Sequence, residues 1–174
     1  GDGGGIHCDS TQAHLVDCQI GNNQAGQSGG GVYFSGSTTQ SMNNCLLTAN
    51  TAGRDGGGMA AAIYSNVTIS NCTIADNIVS GTEFGQQYGG GLSSWYNANA
   101  DVLNSIIWGN TASNGAQIAV SQGFEYEIGP AEVDVSYSDV QSGAVGVFKG
   151  SDCTIQWNYS TNLTGGTSSN PLFV

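Results

Sequence analysis

Gly56-Gly57-Gly58-Met59, followed by Ile74-x-x-Asn77, is one copy of a unit that decides the fold. The glycine tetrad recurs as Gly3-Gly4-Gly5-Ile6, Gly29-Gly30-Gly31-Val32 and Gly89-Gly90-Gly91-Leu92. Its companion recurs in phase as Ile20-x-x-Asn23, Leu47-x-x-Asn50 and Ile107-x-x-Asn110, at intervals of 27, 27 and 33 residues. A fifth, worn copy reads Gly115-Ala116-Gln117-Ile118 and Val140-Gln141-Ser142-Gly143. Two motifs locked in phase mean a solenoid.

Each copy reads as short strands. Ile6/Cys8, Val32/Phe34, Met59/Ala61, Leu92/Ser94 and Ile118/Val120 alternate with their neighbours after the glycines, as do Val67-Thr68-Ile69 and Val133-Asp134-Val135. Alternation is strand period. No segment shows convincing helical period, and 28 glycines in 174 residues would break most helices. The expectation is an all-β chain. It forms a right-handed, single-stranded parallel β-helix of about five to six turns, with three short strands per turn.

Stacked turns convert recurring residues into ladders. Cys18, Cys45 and Cys72 share one slot with Ser105 and Ser138, and Asn23, Asn50, Asn77 and Asn110 share another. An inward amide at a corner can satisfy backbone groups and bond the amide of the next turn.

These residues resemble a known family. The pairing of Gly-Gly-(Ala/Gly)-Ile with Phe/Ile/Leu-x-x-Asn is similar to the repeats of chlamydial polymorphic outer membrane proteins. More broadly it resembles right-handed β-helix surface proteins of the pectin-lyase-like superfamily. Asn104-Ser-Ile-Ile-Trp-Gly-Asn-Thr-Ala112, Val135-Ser-Tyr-Ser-Asp-Val140 and Asn170-Pro-Leu-Phe-Val174 are similar to large secreted β-helix proteins of environmental bacteria. The resemblance covers essentially the whole chain and implies an extracellular or cell-surface setting. It does not fix an activity, because such folds carry adhesins, structural proteins and polysaccharide enzymes alike.

Composition narrows the partners. Only 9% of residues are charged, against roughly 25% in average proteins. The net charge is −11, and Arg54 and Lys149 are the sole Lys and Arg residues. That disfavours nucleic acid and anionic membranes, which call for basic patches. No run is apolar enough to insert into a membrane as a helix. Residues 1–174 read as one domain, with irregular loops at 78–88 and 121–130 and a less regular part at 144–174. The chain starts at a repeat glycine without a shielding element. It reads as a portion of something longer, or as a subunit whose ends neighbours cover.

The candidate chemistry is sparse. Gly26-Gln-Ser28-Gly-Gly30 is a repeat corner, and no carboxylate is placed to complete a triad with His7 or His14. The five cysteines read as mostly free ladder thiols. Carboxylates are dispersed, so the expectation is no enzyme and no required cofactor. Calcium is the metal to test: Asp2 and Asp55 precede glycine tetrads, as turn carboxylates that bind it in some β-rolls do, while Asp101 and Asp134 fall at nearly equivalent sites on adjacent turns and form a solvated pair or a weak calcium site. Sequons at Asn66, Asn71, Asn158 and Asn162 would accept glycans in a eukaryotic secretory setting. Trp95, Tyr96 and Trp108 are expected to face outward, toward a sugar or another subunit, unless the longer loops fold back over the tryptophans. Those loops add Phe84, Tyr88, Phe124 and Tyr126. The reading is a non-enzymatic structural or adhesive module, self-associating end to end or contacting other surface proteins and glycans. The alternative is a carbohydrate-binding or polysaccharide-cleaving protein.

Overall fold

The computed structural model describes residues 1–81, 87–122 and 129–158. The first repeat contributes β1 (Ile6–Asp9), β2 (Ala13–Val16), β3 (Gln19–Gly21) and β4 (Gln24–Ala25). The second gives β5 (Val32–Ser35), β6 (Thr39–Asn43), β7 (Leu46–Thr48) and β8 (Thr51–Ala52). The third gives β9 (Met59–Ala62), β10 (Asn66–Ser70), β11 (Thr73–Ala75) and β12 (Ile78–Val79). The fourth holds β13 (Leu92–Trp95), β14 (Asn99–Leu103) and β15 (Ile106–Trp108); the fifth holds β16 (Ile118–Ser121), β17 (Glu132–Ser136) and β18 (Asp139–Val140). After a single 3-10 turn at Gly143–Gly146 come β19 (Val147–Lys149) and β20 (Thr154–Trp157).

These 20 strands form four sheets, ordered β1-β5-β9-β13-β16-β19, β2-β6-β10-β14-β17-β20, β3-β7-β11-β15-β18 and β4-β8-β12. Every pairing between strands is parallel and joins one repeat to the next. The arrangement is compatible with a parallel β-helix. Register follows the sequence repeat: Ile20, Leu47, Ile74, Ile107 and Val140 lie side by side, as do Ile6, Val32, Met59, Leu92 and Ile118. Both columns belong to one continuous apolar core.

Three features differ from the sequence reading. A fourth sheet of two-residue strands runs through the first three repeats, just after the Asn corner. One of its strands, Ile78–Val79, takes residues expected to be loop. Stacking also continues to Trp157, beyond the start of the segment read as less regular. The loop residues Phe84, Phe124, Glu125, Tyr126 and Glu127 lie outside the described residues, as does Asn162.

The corners are built by left-handed backbone. Asp17, Asn44, Asn71, Asn104 and Tyr137 occupy one corner with φ of 55°, 53°, 54°, 47° and 53°. Asp and Asn enter that region more readily than other side-chain-bearing residues. The first tetrad glycine has the same requirement, with φ of +66° at Gly29 and +62° at Gly56.

Candidate functional site

The inner corner is a column of amides. Asn50 donates to Asn77 Oδ1 from both its backbone N–H and its Nδ2, at 3.0 and 2.9 Å. Asn23 does the same to Asn50, at 3.0 Å each, and Asn77 to Asn110, at 2.9 and 3.0 Å. Each inner amide also reaches back, with Nδ2 donating to the carbonyl of Ile20, Leu47 or Ile74 in the previous repeat. Asn50 and Asn77 are fully buried, so these bonds remove what would be costly unpaired groups.

The third tetrad glycine is crowded both by this column and by the backbone of the next repeat. A Cβ on Gly58 would lie 3.0 Å from Asn77 Nδ2 and 2.7 Å from the Gly91 carbonyl oxygen. A Cβ on Gly91 would lie 2.9 Å from Asn110 Nδ2. In the fifth repeat Gly143 stands in the asparagine slot, and Gln117 takes the glycine position. Gln117 Oε1 accepts from Asn110 Nδ2 at 2.8 Å, and its Nε2 donates to Gln141 Oε1 at 3.0 Å. The column thus passes into a pair of glutamines.

The cysteine–serine column has one repeating pattern. Each Sγ or Oγ donates to the carbonyl two residues back: Cys18 to Val16, Cys45 to Asn43, Cys72 to Ser70, Ser105 to Leu103 and Ser138 to Ser136. Three of them also accept a backbone N–H from the previous repeat: Cys45 N–H donates to Cys72 Sγ, Cys72 N–H to Ser105 Oγ and Ser105 N–H to Ser138 Oγ, at 3.4, 3.1 and 3.1 Å. Thiol and hydroxyl interchange because both donate once and accept once. All five cysteines are free. Burial pushes the Cys72 thiol up to about 11 and raises Cys45 as well, so both resist ionisation.

On the outer face of the first sheet, Trp95 does point away from the core, yet it is only 4% exposed. The expectation of a solvent-facing Trp95 is therefore corrected. Trp95 lies beside Ala62 in register, and Tyr33 beside Ala60. The two alanines leave room on β9 for the large rings of β5 and β13, whose centroids are 6.3 Å apart. Tyr96 packs partly buried against the same cluster. The Arg54 guanidinium stands 6.0 Å from the Trp95 ring and bonds Asp55 at 2.6 Å. Burial raises the Asp55 carboxyl to about 6 against the opposing pull of Arg54, and burial with Asp2 pushes the Tyr33 phenol up to about 12.

The metal candidates do not gather. Asp2 Oδ1 accepts the Ser28 N–H at 2.9 Å, while the Asp55 carboxylate is held by Arg54. Asp101 and Asp134 are neighbours in register, and burial, then Glu132 and Asp101, raises the Asp134 carboxyl. Among the described residues no group of three or more His, Cys, Asp or Glu forms a metal-binding set. Ser28 is fully buried in its corner, His7 bonds the Asp2 carbonyl and His14 the Ser41 hydroxyl.

Among the sequons, Asn66 accepts from Asn99 Nδ2 at 3.1 Å. Asn71 is exposed but tied into an outer amide row, donating to Asn43 Oδ1 at 3.0 Å and accepting from Asn104 at 2.6 Å. Asn158 is exposed just after β20.

Trp108 is half-buried on the outer face of the third sheet, beside Ala75. Ala75 lines an open groove of about 610 Å³ that crosses β3, β7 and β11. Asp17, Asn44 and Asn71 form one rim, Thr48 and Thr73 lie on the floor, and Asp76 lies on the other side. Trp108 is not among the residues that line the groove, which exists only once three repeats are stacked.

No protein-family model matches this chain, and no curated protein or solved structure is significantly similar to it.

Proposed function

We propose that this chain is a right-handed parallel β-helix of about five to six turns serving as a non-enzymatic structural or adhesive module outside the cell. Right-handedness is the rule for crossovers between parallel strands of one sheet. A surface polar through Asn, Ser and Thr rather than through charge suits the extracellular setting, as does the resemblance of the repeat motif to bacterial surface proteins.

The observation that carries the reading is the direction of the amide column. Asn23, Asn50 and Asn77 each donate to the Oδ1 of the next repeat's asparagine, so Asn50, Asn77 and Asn110 each offer that oxygen to the repeat before. The first repeat carries the same pattern to the edge of the stack. Its core residues Ile6, Cys8, Leu15 and Cys18 are half-buried, whereas Val32, Phe34, Met42 and Cys45 beside them are buried. An edge of this kind accepts a further coil, whether from the same chain or from another copy, and we read stacking between copies as the role.

Sedimentation over a wide concentration range tests this. The expected result is concentration-dependent, elongated oligomers that Leu15→Lys abolishes without loss of β-structure. A monomer at every concentration, or oligomers indifferent to Leu15→Lys, would remove the assembly role.

A further inference from the structure

Cys18, Cys45 and Cys72 stand in single file where the fourth and fifth repeats carry Ser105 and Ser138. We infer that Cys18 and Cys45 are a redox-sensitive pair, which a small-molecule disulfide oxidises to a bridge between the first and second repeats.

Register places the pair. Gln19 lies beside Leu46, and Leu46 N–H donates to the Cys18 carbonyl at 2.9 Å, so Cys18 stands next to Cys45 in the stack. Neighbouring strands lie ~4.8 Å apart, which is inside the Cα separation of disulfides. The side chains also bear on each other: burial raises the Cys45 thiol, and the neighbouring Cys18 thiol adds to the shift. Little is lost when the sulfurs turn toward one another. Cys18 Sγ gives up a bond to the Val16 carbonyl at 3.2 Å, and Cys45 Sγ gives up bonds to the Asn43 and Leu15 carbonyls at 3.3 and 3.5 Å. Thiols are weak donors.

Access selects this pair over Cys45 and Cys72. Cys18 is half-buried, whereas Cys72 is 1% exposed. Cys18 and Cys45 both belong to the lining of the open groove on the outer face of the third sheet, and Cys72 does not. A reagent therefore arrives from the side of the stack, whatever lies beyond the first repeat. Asp17 and Asp76 line the same groove, which favours an uncharged oxidant over an anionic one.

The oxidation runs as two exchanges. The Cys18 thiolate attacks one sulfur of the small disulfide, forming a mixed disulfide and expelling one small thiolate, which takes up the proton that Cys18 released. The Cys45 thiolate then attacks Cys18 Sγ, closing the protein bond and expelling the second small thiolate, which takes up the proton from Cys45. Two protein thiols are oxidised, and one small disulfide is reduced to two thiols. The bond ties the first repeat covalently to the second and constrains the unfolded chain.

Treatment of the folded chain with neutral 2-hydroxyethyl disulfide, alkylation of the remaining thiols in denaturant and peptide mapping by mass spectrometry decide the matter. The expected product joins Cys18 to Cys45, two hydrogens lighter than the reduced pair, with Cys8, Cys72 and Cys153 alkylated. Dithiothreitol should restore all five thiols. The bridged chain should melt about 5 °C above the reduced one. Serine already fills this column at Ser105 and Ser138, so serine variants are expected to keep the fold. Cys45→Ser should stop at a mixed disulfide on Cys18, Cys18→Ser should leave Cys45 unreacted, and Cys72→Ser should bridge like the parent. The inference is overturned if no bridge forms, if Cys45 pairs with Cys72, if Cys18 links two copies of the chain, or if bridging leaves the melting midpoint unchanged. Sedimentation reads coil stacking and peptide mapping reads the bridge, so either can fail without the other.

Discussion

At the corner of the fourth repeat a glycine, Gly91, packs against Asn110; in the fifth, Gln117 occupies the glycine's place and Gly143 the asparagine's. The two arrangements fill one volume from opposite sides. In the first, an amide reaches in from the corner after the third strand. In the second, it reaches in from the start of the first. The common product is an acceptor for the amide of the repeat before: Asn110 Oδ1 serves Asn77, and Gln117 Oε1 serves Asn110. The repeat therefore conserves a buried hydrogen-bond acceptor, and the identity of the residue supplying it is secondary.

Breaking the complementarity should cost most. Gly58→Gln places two amides in one space and should destabilise the fold by about 4–5 kcal/mol, measured by urea denaturation. Adding Asn77→Gly should recover about 2 kcal/mol of that loss, since the new glutamine can then accept from Asn50 as Gln117 accepts from Asn110. Effects that simply add would show that the two corners are not equivalent solutions.

Removing the acceptor without replacing it comes next. Asn77→Ala orphans the Asn50 N–H and the Leu47 carbonyl and should cost roughly 3–4 kcal/mol. Asn23→Ala, at the half-buried edge, should cost under ~1 kcal/mol. Equal losses at both sites would mean that burial does not set the value of the column.

Outside the core, Asp55 supplies a pH test. Its folded value of about 6 lies above the 3.8 of a free aspartate, so the folded protein holds this proton more tightly than the unfolded chain. Its stabilising contribution is complete below the unfolded value and is lost as pH rises through about 6. The loss by pH 7 is up to about 3 kcal/mol at 1.36 kcal/mol per pH unit. Asp55→Asn should flatten the stability profile between pH 4 and 7; an unchanged slope would locate that titration elsewhere.

The thiol–hydroxyl column separates hydrogen bonding from volume. Ser105→Ala strands the Cys72 N–H and should cost about 1–3 kcal/mol. Ser105→Cys keeps one donor and one acceptor and should cost about 1 kcal/mol or less. If alanine and cysteine prove equally disruptive, volume rather than hydrogen bonding governs the slot.

Much of the stacking was legible in the sequence because it depends on recurrence. Ile20, Leu47, Ile74, Ile107 and Val140 announce their column by spacing alone. Contacts that cross between repeats at unlike positions carry no such signal. Trp95 is buried because Ala60 and Ala62 in the preceding repeat make room for it, and the Ala60-Ala61-Ala62 run was the only hint. The Gln117–Gly143 exchange was visible as two worn motifs. Its meaning was not, because the clash that couples Gly58 to Asn77 is a distance between residues far apart in the chain. The short fourth sheet escaped because strands of two residues have no alternation to detect.

The regularity of the joints has a consequence for inheritance. Thr51 N–H donates to the Asn23 carbonyl at 2.8 Å, and Ile78 N–H donates to the Asn50 carbonyl at 2.9 Å, one equivalent joint after another. Splicing out residues 51–77 would set Ile78 onto Asn23 and Asn50 onto Asn110 with the same donors and acceptors. Length is thus a quantity that recombination can adjust in whole steps, duplicating or discarding a floor while the rest of the building stands.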